Sequence, residues 1–467
     1  MYGYQAVDFT GVEFSVALTR TLDDLLAAHL NKGRFQEDLT FAYWRPSPGR
    51  SRYAAILNRI ALPAEGDRIL QGNVAFMPKY IQRVLDECPK DHGVALAHSH
   101  PGPGWQDMSD DDVVAERERL AGLVAGATGL PLLGMTWGTD STWSARFWLR
   151  VGRHQYERRW ATTVRSVGRH LRLSFHPDLR PEPEPPESQA ATISVWGRRA
   201  QADLVRSRIG IIGLGSVGSI VAEAFSRTGA QDLMLIDHDA LELRNLDRTL
   251  GAYRDDAGAK LAKVAISKRL VDRSHTSETF SADPVADSVV NRAALARAMD
   301  CDLLICCVDR PWPRHILNTV AYAHLIPVID GGILARVNDA GKLVHVDWRI
   351  HTVGPGHACL YCIDAIRRSD VALDRDGKLD DPDYIRGLTQ AERERYGRRN
   401  VFAFSLSVAA HEVLQAVGLI SGSERVGGCG PQMYHAYPGK MEVSSKRACN
   451  EDCDVTPFTA TACNVLG

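Results

Sequence analysis

The stretch RIGIIGLGSVGS constrains the fold of this chain more than any other part of the sequence. An apolar run leads directly into the motif Gly213-x-Gly215-x-x-Gly218, and a helix is expected from about Ser219. Glycines at this spacing allow a tight turn and a close approach of the backbone to a phosphate, which the helix N-terminus attracts. The motif therefore predicts a strand, a nucleotide-binding turn and a helix.

Further apolar runs near this motif indicate a parallel sheet. They read DLMLID, DLLICCVD and IPVIDGGI, and helical stretches separate them. Buried strands alternating with helices are typical of a doubly wound, Rossmann-like α/β fold. Asp237 ends the first run about twenty residues after the glycines, where users of NAD and of ATP place the acid that contacts the ribose. The motif alone indicates a nucleotide, with NAD as the commonest choice.

The segment RPEPEPPESQ predicts a domain boundary, because its prolines prevent a helix and its acids keep it solvated. Before it, a helix at TLDDLLAAHLNKG, ended by Gly33, and strands near EDLTFAYWR, RYAAILNRIAL, VALAHSH, LLGMTWG and SARFWLRV indicate an α+β domain. We assign residues 1–155 to this domain, 156–190 to a linker region with the proline-rich segment, and 191–467 to the α/β domain.

Composition restricts the partners. The chain has 467 residues, too many for one core at about 150 residues per domain, and it is 45% hydrophobic and 24% charged. A net charge of -2 gives no support to a nucleic-acid or membrane-surface partner. The N-terminus lacks an apolar core and no run of about 18 apolar residues occurs, so we expect a cytoplasmic protein without a membrane span.

Two histidines one residue apart, His98 and His100, end the run VALAHSH. Side chains of a strand alternate between its faces, so both rings point the same way and can share one ion. Asp112 could add a carboxylate and leave the fourth position of a catalytic zinc ion to water. Ser109, three residues before Asp112, also fits an ordinary helix cap, which needs no metal.

The order His98-Ser-His100-Pro, then Ser109-x-x-Asp112, resembles the motif of the JAB/JAMM (MPN-plus) metallopeptidases over roughly the first 150 residues. These enzymes cleave peptide or isopeptide bonds after the C-terminus of ubiquitin and its relatives. The resemblance implies a JAB/JAMM fold with Zn²⁺ on His98, His100 and Asp112. It also implies that Ser109 steadies the tetrahedral oxyanion.

The same resemblance implies an upstream glutamate as general base, and Glu37 in FQEDLTFAYW is the best match. Asp38 follows directly, and only one of the two can point into the site from a strand; we favour Glu37. Eight residues separate His100 from Ser109, one more than is usual in the family. We therefore expect the loop between them to bulge slightly.

Two cations after Asp237 change the nucleotide that is expected, because Arg248 and Lys260 suit a triphosphate better than a dinucleotide. From about Ser194 to the C-terminus, the sequence resembles the ThiF/MoeB/HesA family of ubiquitin-activating-type adenylyltransferases. The matching motifs are Asp237-x-Asp239, Asn245-Leu-Asp-Arg248, Gly258-x-Lys260 and CCVDR with Asp309.

This resemblance implies that Asp237 contacts the ribose of ATP, that Asn245, Arg248 and Lys260 contact its phosphates, and that Asp309 holds Mg²⁺. The implied reaction is attack by the C-terminal carboxylate of a ubiquitin-like or sulfur-carrier (β-grasp) protein on the α-phosphate. It gives an acyl-adenylate and pyrophosphate, and positioning and charge neutralisation catalyse such a step. The family also implies a homodimer through this domain.

Four of the ten cysteines fit a structural zinc site. Cys359-x-x-Cys362 is matched about ninety residues later by Cys449-x-x-x-Cys453, where the family has a second C-x-x-C pair. Residues 363–428 contain no cysteine, so we expect adenylation without a conventional thioester. We expect Cys301, Cys306 and Cys307 to be core residues. Cys429 is the first candidate if a thiol takes part in the reaction, but a buried or unreactive role is expected for it.

Together these features predict a fused enzyme that processes and then activates the tail of a ubiquitin-like or sulfur-carrier protein. The peptidase would expose a terminal glycine or release a conjugate, and the second domain would adenylate that glycine. The identity of the carrier, and the choice between a conjugation and a sulfur-transfer pathway, stay open. A non-catalytic scaffold that binds a ubiquitin-like protein is the alternative, and an NAD-dependent oxidoreductase is a third.

Overall fold

A computed structural model describes residues 9–33, 36–71, 73–338, 340, 342–389, 400–423, 425–426, 428, 430–444 and 448–466. The chain forms two compact units. The first contains the described residues up to Gly168, with Arg172–Glu182 and Ala460–Cys463, and the second contains most of the remainder.

An eight-stranded sheet organises the first unit, in the order β1-β3-β2-β6-β7-β8-β9-β10. Because β1 also pairs in parallel with β9, the sheet closes on itself. A separate hairpin is formed by β4 and β5. The strands are Glu13–Thr19 (β1), Leu39–Pro48 (β2), Arg52–Ala61 (β3), Arg68–Gln71 (β4), Asn73–Phe76 (β5), Gly93–Ser99 (β6), Leu132–Trp137 (β7), Trp143–Gly152 (β8), Gln155–Val167 (β9) and Leu171–Phe175 (β10).

Helices cover the closed sheet and complete two apolar clusters. One cluster includes three leucines of α1 with Trp44 and Phe147, and the other joins α2 and α4 to the sheet. The helices are Arg20–Leu30 (α1), Pro78–Asp86 (α2), Asp110–Val113 (α3), a π-helical segment Val114–Leu120, and Ala121–Thr128 (α4). The first helix thus ends three residues before Gly33, at Leu30, with Asn31 as its C-cap.

The predicted linker is too long at its N-terminal end. Residues 156–190 were assigned to it, but β9 and β10 lie in that range and are paired strands of the first sheet. The charged residues of β9 hid its alternation, since the strand carries arginines on both of its faces. The proline-rich residues 181–186 form neither helix nor strand, as their composition predicts.

The second unit contains a mixed sheet in the order β13-β12-β11-β14-β15-β16-β17-β18. The first five strands in this order, from β13 across to β15, pair in parallel. The remaining three pairings, from β15 to β18, are antiparallel. The strand order reverses beside β11, which makes the carboxyl ends of β11 and β14 the edge where α/β proteins bind ligands. The strands are Arg208–Ile212 (β11), Asp232–Ile236 (β12), Ser281–Val285 (β13), Leu303–Cys306 (β14), Val328–Val337 (β15), Leu343–Val353 (β16), Gln432–His435 (β17) and Lys440–Val443 (β18).

Ten described helices belong to this unit, and they confirm the predicted doubly wound α/β fold. They are Ala190–Trp196 (α5), Arg198–Arg206 (α6), Gly218–Thr228 (α7), Arg254–Gly258 (α8), Lys263–Ser274 (α9), Arg292–Ala298 (α10), Pro311–Ala323 (α11), Arg368–Arg375 (α12), Pro382–Gly387 (α13) and Phe402–Ser421 (α14). By length and composition alone, α14 could cross a membrane. In the structure it packs against β15, β16, α6 and α7 as a core helix, with 61% of its most apolar window buried.

Candidate functional sites

The two histidines and the aspartate of the predicted zinc site lie close together. The two imidazole rings are 5.0 Å apart at the end of β6, and the Nε2 atoms of His98 and His100 are each 3.2 Å from an oxygen of Asp112. One ligand atom from each residue lies within 4.8 Å of the other two. A donor set of two imidazoles and one carboxylate at this spacing fits a zinc ion with one position open.

Ser109 serves as the N-cap of α3, and the cap also fixes the candidate ligand. Its Oγ accepts a hydrogen bond from the Asp112 backbone N–H at 3.2 Å, and its own N–H donates to Asp112 Oδ2 at 2.8 Å. Burial would raise the pKa of Asp112, but hydrogen bonds with His100 and His98 hold it well below its ordinary value. Because the exposed Ser109 hydroxyl acts as an acceptor in this bond, its own hydrogen stays available for donation.

Glu37 and Asp38 have different surroundings. Burial raises the pKa of the Glu37 carboxyl, and His100 and His98 are close enough to lower it. Asp38 is fully buried and forms an ion pair with Arg68 at 3.0 Å, with Lys32 Nζ at 3.4 Å and the His29 ring at 3.6 Å from its carboxylate. Glu37 thus interacts electrostatically with the candidate metal ligands, whereas Asp38 is paired with other side chains.

The eight-residue interval before Ser109 is accommodated by a loop that contacts the turn after β7. Asp140 Oδ1 accepts a hydrogen bond from Gly104 N at 2.9 Å, and Gly102 O accepts one from Thr139 N at 2.9 Å. These contacts tie the loop to that turn, and the helix cap at Ser109 is formed after it.

The glycine motif follows β11, as predicted. Gly213 has a φ of +90°, which favours glycine, and a Cβ on Gly218 would lie 1.8 Å from the Gly213 carbonyl oxygen. A Cβ on Gly215 would meet nothing within 4 Å. The loop is therefore closed on its protein side and open at Gly215, which fits a cradle for a phosphate.

Asp237 joins this loop to β12. Its Oδ2 accepts from Leu214 N at 2.6 Å and its Oδ1 from Asp239 N at 2.8 Å, and burial raises its pKa. Lys263, which the sequence reasoning missed, donates to Asp239 Oδ2 at 2.6 Å, and its charge opposes the rise in the pKa of Asp237. A second lysine three residues after Lys260 was the available signal in the sequence.

The other residues predicted to bind ATP or Mg²⁺ have fewer contacts with the glycine loop and Asp237. Asn245 accepts a bond within its own turn, and Arg248 Nη1 donates to Asp247 at 2.6 Å, a contact it would leave to reach a phosphate. Lys260 is exposed at a φ of +50°, and Asp309 is exposed three residues after β14. The structure thus puts Asp237 and Lys263 together and leaves Lys260 facing solvent.

The four predicted zinc cysteines cluster. One sulfur from each of Cys359, Cys362, Cys449 and Cys453 lies within 4.8 Å of the others. Backbone N–H groups donate to three of these sulfurs, which suits thiolates bound to a metal, and the interaction with Cys359 lowers the pKa of Cys449 to about 5 against the opposing effect of burial. The three-residue spacing of the second pair therefore does not prevent a tetrahedral site.

Of the three cysteines expected in the core, two are buried and Cys307 is partly buried. Cys301 and Cys306 are fully buried, and Cys307 Sγ lies 3.6 Å from the buried carboxylate of Glu412. Cys429 lies outside the described residues.

Several characterised proteins are similar to part of this chain. Molybdopterin-synthase adenylyltransferase of Escherichia coli is 27% identical over 164 residues, covering 35% of this chain and 61% of that protein. Sulfur carrier protein ThiS adenylyltransferase of Bacillus subtilis is 27% identical over 268 residues, covering 57% and 68%. Ubiquitin-like modifier-activating enzyme 5 of Aedes aegypti is 23% identical over 186 residues, covering 38% and 45%. The chain thus spans less than two thirds of the first of these relatives.

Among solved structures, E. coli MccB with ATP is similar over 58% of this chain and 74% of its own, at 17% identity and a TM-score of 0.44. The family model described as ThiF family matches residues 187–455, more than half of the chain. The glycine loop, Asp237 and the cysteine cluster all lie inside that range. The chain therefore belongs to the ThiF family.

Proposed function

We propose that the second unit adenylates the C-terminal carboxylate of a ubiquitin-like or sulfur-carrier β-grasp protein with ATP. The observation that carries this proposal is the direct bond between the glycine loop and Asp237, 2.6 Å from Leu214 N to Oδ2, in a chain of the ThiF family. The relatives named above supply the substrate class, since one acts on the sulfur carrier protein ThiS and one activates a ubiquitin-like modifier.

The residues at this edge divide the work of binding ATP. The backbone around Gly215 would contact the phosphates, Asp237 the ribose, and Asp309 would hold Mg²⁺, which neutralises phosphate charge. Lys263 and Arg248 would bring two positive charges to the leaving pyrophosphate. The chain's part in the reaction is to align the carrier carboxylate with the α-phosphate and to balance charge as pyrophosphate leaves.

For the first unit we propose a zinc peptidase that acts on the same carrier, supported by the convergence of His98, His100 and Asp112 beside Glu37. Zinc, when bound by these three residues, supplies a water of lowered pKa. Glu37 would take the proton of that water and return it to the leaving amine. The Ser109 hydroxyl would donate to the oxyanion.

Zinc content tests both metal sites. We expect about two zinc ions per chain, one lost in the variant His98→Ala with His100→Ala and the other lost in Cys359→Ser with Cys362→Ser. Elemental analysis of the purified full chain measures this. If the wild-type chain holds one zinc ion and the histidine substitutions leave that content unchanged, the proposed peptidase centre is refuted.

Pyrophosphate exchange with a β-grasp carrier tests adenylation. We expect exchange in the wild type and its loss in Asp309→Ala; exchange that survives this change would mean that the magnesium residue is misassigned. Thermal stabilisation by ATP but not by NAD separates the proposal from an oxidoreductase. A chain that fails to bind zinc, or fails to bind ATP, would favour the non-catalytic scaffold.

We further propose a cytoplasmic homodimer that has neither a nucleic-acid nor a membrane partner. The net charge of -2 and the packing of α14 in the core support the absence of those partners, and the family resemblance supports the dimer. Light scattering of the purified chain tests the oligomeric state, and a mass of one chain would contradict the dimer.

A further inference from the structure

The three candidate zinc ligands come from two different elements. His98 and His100 end a strand, whereas Asp112 lies on the helix that follows the loop. A site of this kind keeps its geometry only if something fixes the helix against the strands. The cap at Ser109 fixes Asp112 within its own helix and does not reach the sheet.

A buried ion pair makes that connection. Glu116, one turn after Asp112 in the π-helical segment, and Arg146 on β8 are both 0% exposed. Arg146 Nε donates to Glu116 Oε2 at 2.9 Å and its Nη2 donates to Oε1, while Trp148 Nε1 donates to Oε2 at 2.7 Å. Three donors on β8 therefore hold the helix that carries Asp112.

The remaining nitrogen of the guanidinium contacts the neighbouring strand β7. Arg146 Nη1 donates to Thr136 Oγ1 at 2.5 Å, and Thr136 is the register partner of His98 on the neighbouring strand. The Thr136 hydroxyl lies 3.3 Å from His98 Nε2, the same nitrogen that faces Asp112. The guanidinium thus links Glu116 to β7, the strand that pairs with β6 next to His98.

Gly134 shows that the fold makes room for this pair. A Cβ there would lie 2.2 Å from Glu116 Oε2 and 2.6 Å from Arg146 Nε. Glycine inside a strand weakens it and marks a close approach. Since a buried ion pair is often no more stabilising than apolar residues of similar volume, stability alone does not account for it.

We infer that Glu116 and Arg146 are positioning residues of the zinc centre, which hold the helical segment that carries Asp112 in binding geometry against the sheet. This inference rests on the proposed zinc site of the first unit. It assigns no contact between the ion pair and the substrate.

Cobalt binding to the full chain tests the inference. The difference in visible absorption between wild type and the variant His98→Ala with His100→Ala isolates the bands of this site. We expect Glu116→Gln to weaken cobalt and zinc binding by about 10–100-fold, as outer-shell changes do, and to alter those bands. Asp23→Asn is the matched control, because this buried carboxylate also accepts from an indole of β8 but its described partners include none of the ligands.

A second variant separates positioning from folding. Glu116→Leu with Arg146→Met removes the pair without leaving a buried charge, so it should fold and still bind metal weakly. Unchanged affinity and bands in both Glu116 variants would overturn the inference, and so would failure of both to fold, since the pair would then be structural. Absence of the cobalt difference in the wild type would instead refute the zinc site itself.

Discussion

Two lysines three residues apart have different surroundings, and only one of them faces the carboxylates of the nucleotide edge. Lys263 begins α9 and is bonded to Asp239, whereas Lys260 is exposed in the turn before it. Spacing alone favoured Lys260, because a cation two residues after a glycine fits the family motif. Which of the two lysines lies beside Asp239 depends on where α9 begins, and a helix start can be predicted from sequence only to within a few residues.

We predict that Lys263→Met weakens ATP binding by roughly 10–100-fold, the value of about 1.5–3 kcal/mol for a hydrogen bond to a charged group. Lys260→Met, the matched control, should change it by less than about threefold, as expected for a solvated surface charge. Calorimetric titration with ATP and magnesium measures both. A larger effect from Lys260→Met would return the phosphate contact to that residue.

The adjacent acids Glu37 and Asp38 should separate activity from stability. Glu37→Gln should leave the free energy of unfolding nearly unchanged and lower hydrolysis by at least about 100-fold, because the general base is lost. Asp38→Asn should lower the free energy of unfolding by about 1–3 kcal/mol, because Arg68 loses a buried charged partner. Urea unfolding and cleavage of a carrier fusion give the two readouts, and the reverse pattern would make Asp38 the base.

At the scale of elements, substitutions in the glycine loop should have two different effects, one on stability and one on ATP binding. Gly218→Ala forces a Cβ against backbone, so it should destabilise the second unit by about 1–3 kcal/mol or more. Gly215→Ala meets open space, so the unit should keep its melting temperature but lose most of its stabilisation by ATP. Thermal melts with and without ATP distinguish the two variants, and equal melting temperatures of their apo forms would contradict the described loop.

The parallel strands could be predicted from sequence because strands buried on both faces are continuous apolar runs; Leu303–Cys306 is an example. In contrast, β1, β9 and β10 were not predicted as strands. The first carries a buried serine and the second a fully buried Arg165, which break the expected alternation. Strands β1 and β9 close the sheet, and only long-range pairing makes them recognisable.

The candidate zinc ligands were predictable because alternation in a strand and the spacing of a helix cap are local rules. The Glu116–Arg146 pair was not, because its members lie thirty residues apart in sequence. The π-helical turn also shifts Glu116 away from the position that a regular helix would give it.

At the scale of the whole molecule, we predict that the two activities act in sequence on one carrier. Glu37→Gln should block adenylation of a carrier that has residues beyond its terminal glycine, and it should leave adenylation of the mature carrier intact, because the base is needed only for hydrolysis. Pyrophosphate exchange with extended and mature carriers, measured side by side, gives the result.

The matched control is Asp309→Ala, which should abolish exchange with both carriers while cleavage of the extended carrier continues. If Glu37→Gln supports exchange with neither carrier, or uses the extended one as well as wild type does, the two units do not work in this order.

The proline-rich residues 181–186 join the two proposed centres in one polypeptide. Whatever the level of expression, a cell therefore makes equal numbers of each. Their relative output cannot be tuned by gene dosage or by separate turnover of two proteins. Under the proposed function, the rate constants of the two centres and the form in which the carrier arrives would set how much of it is cleaved and how much is activated.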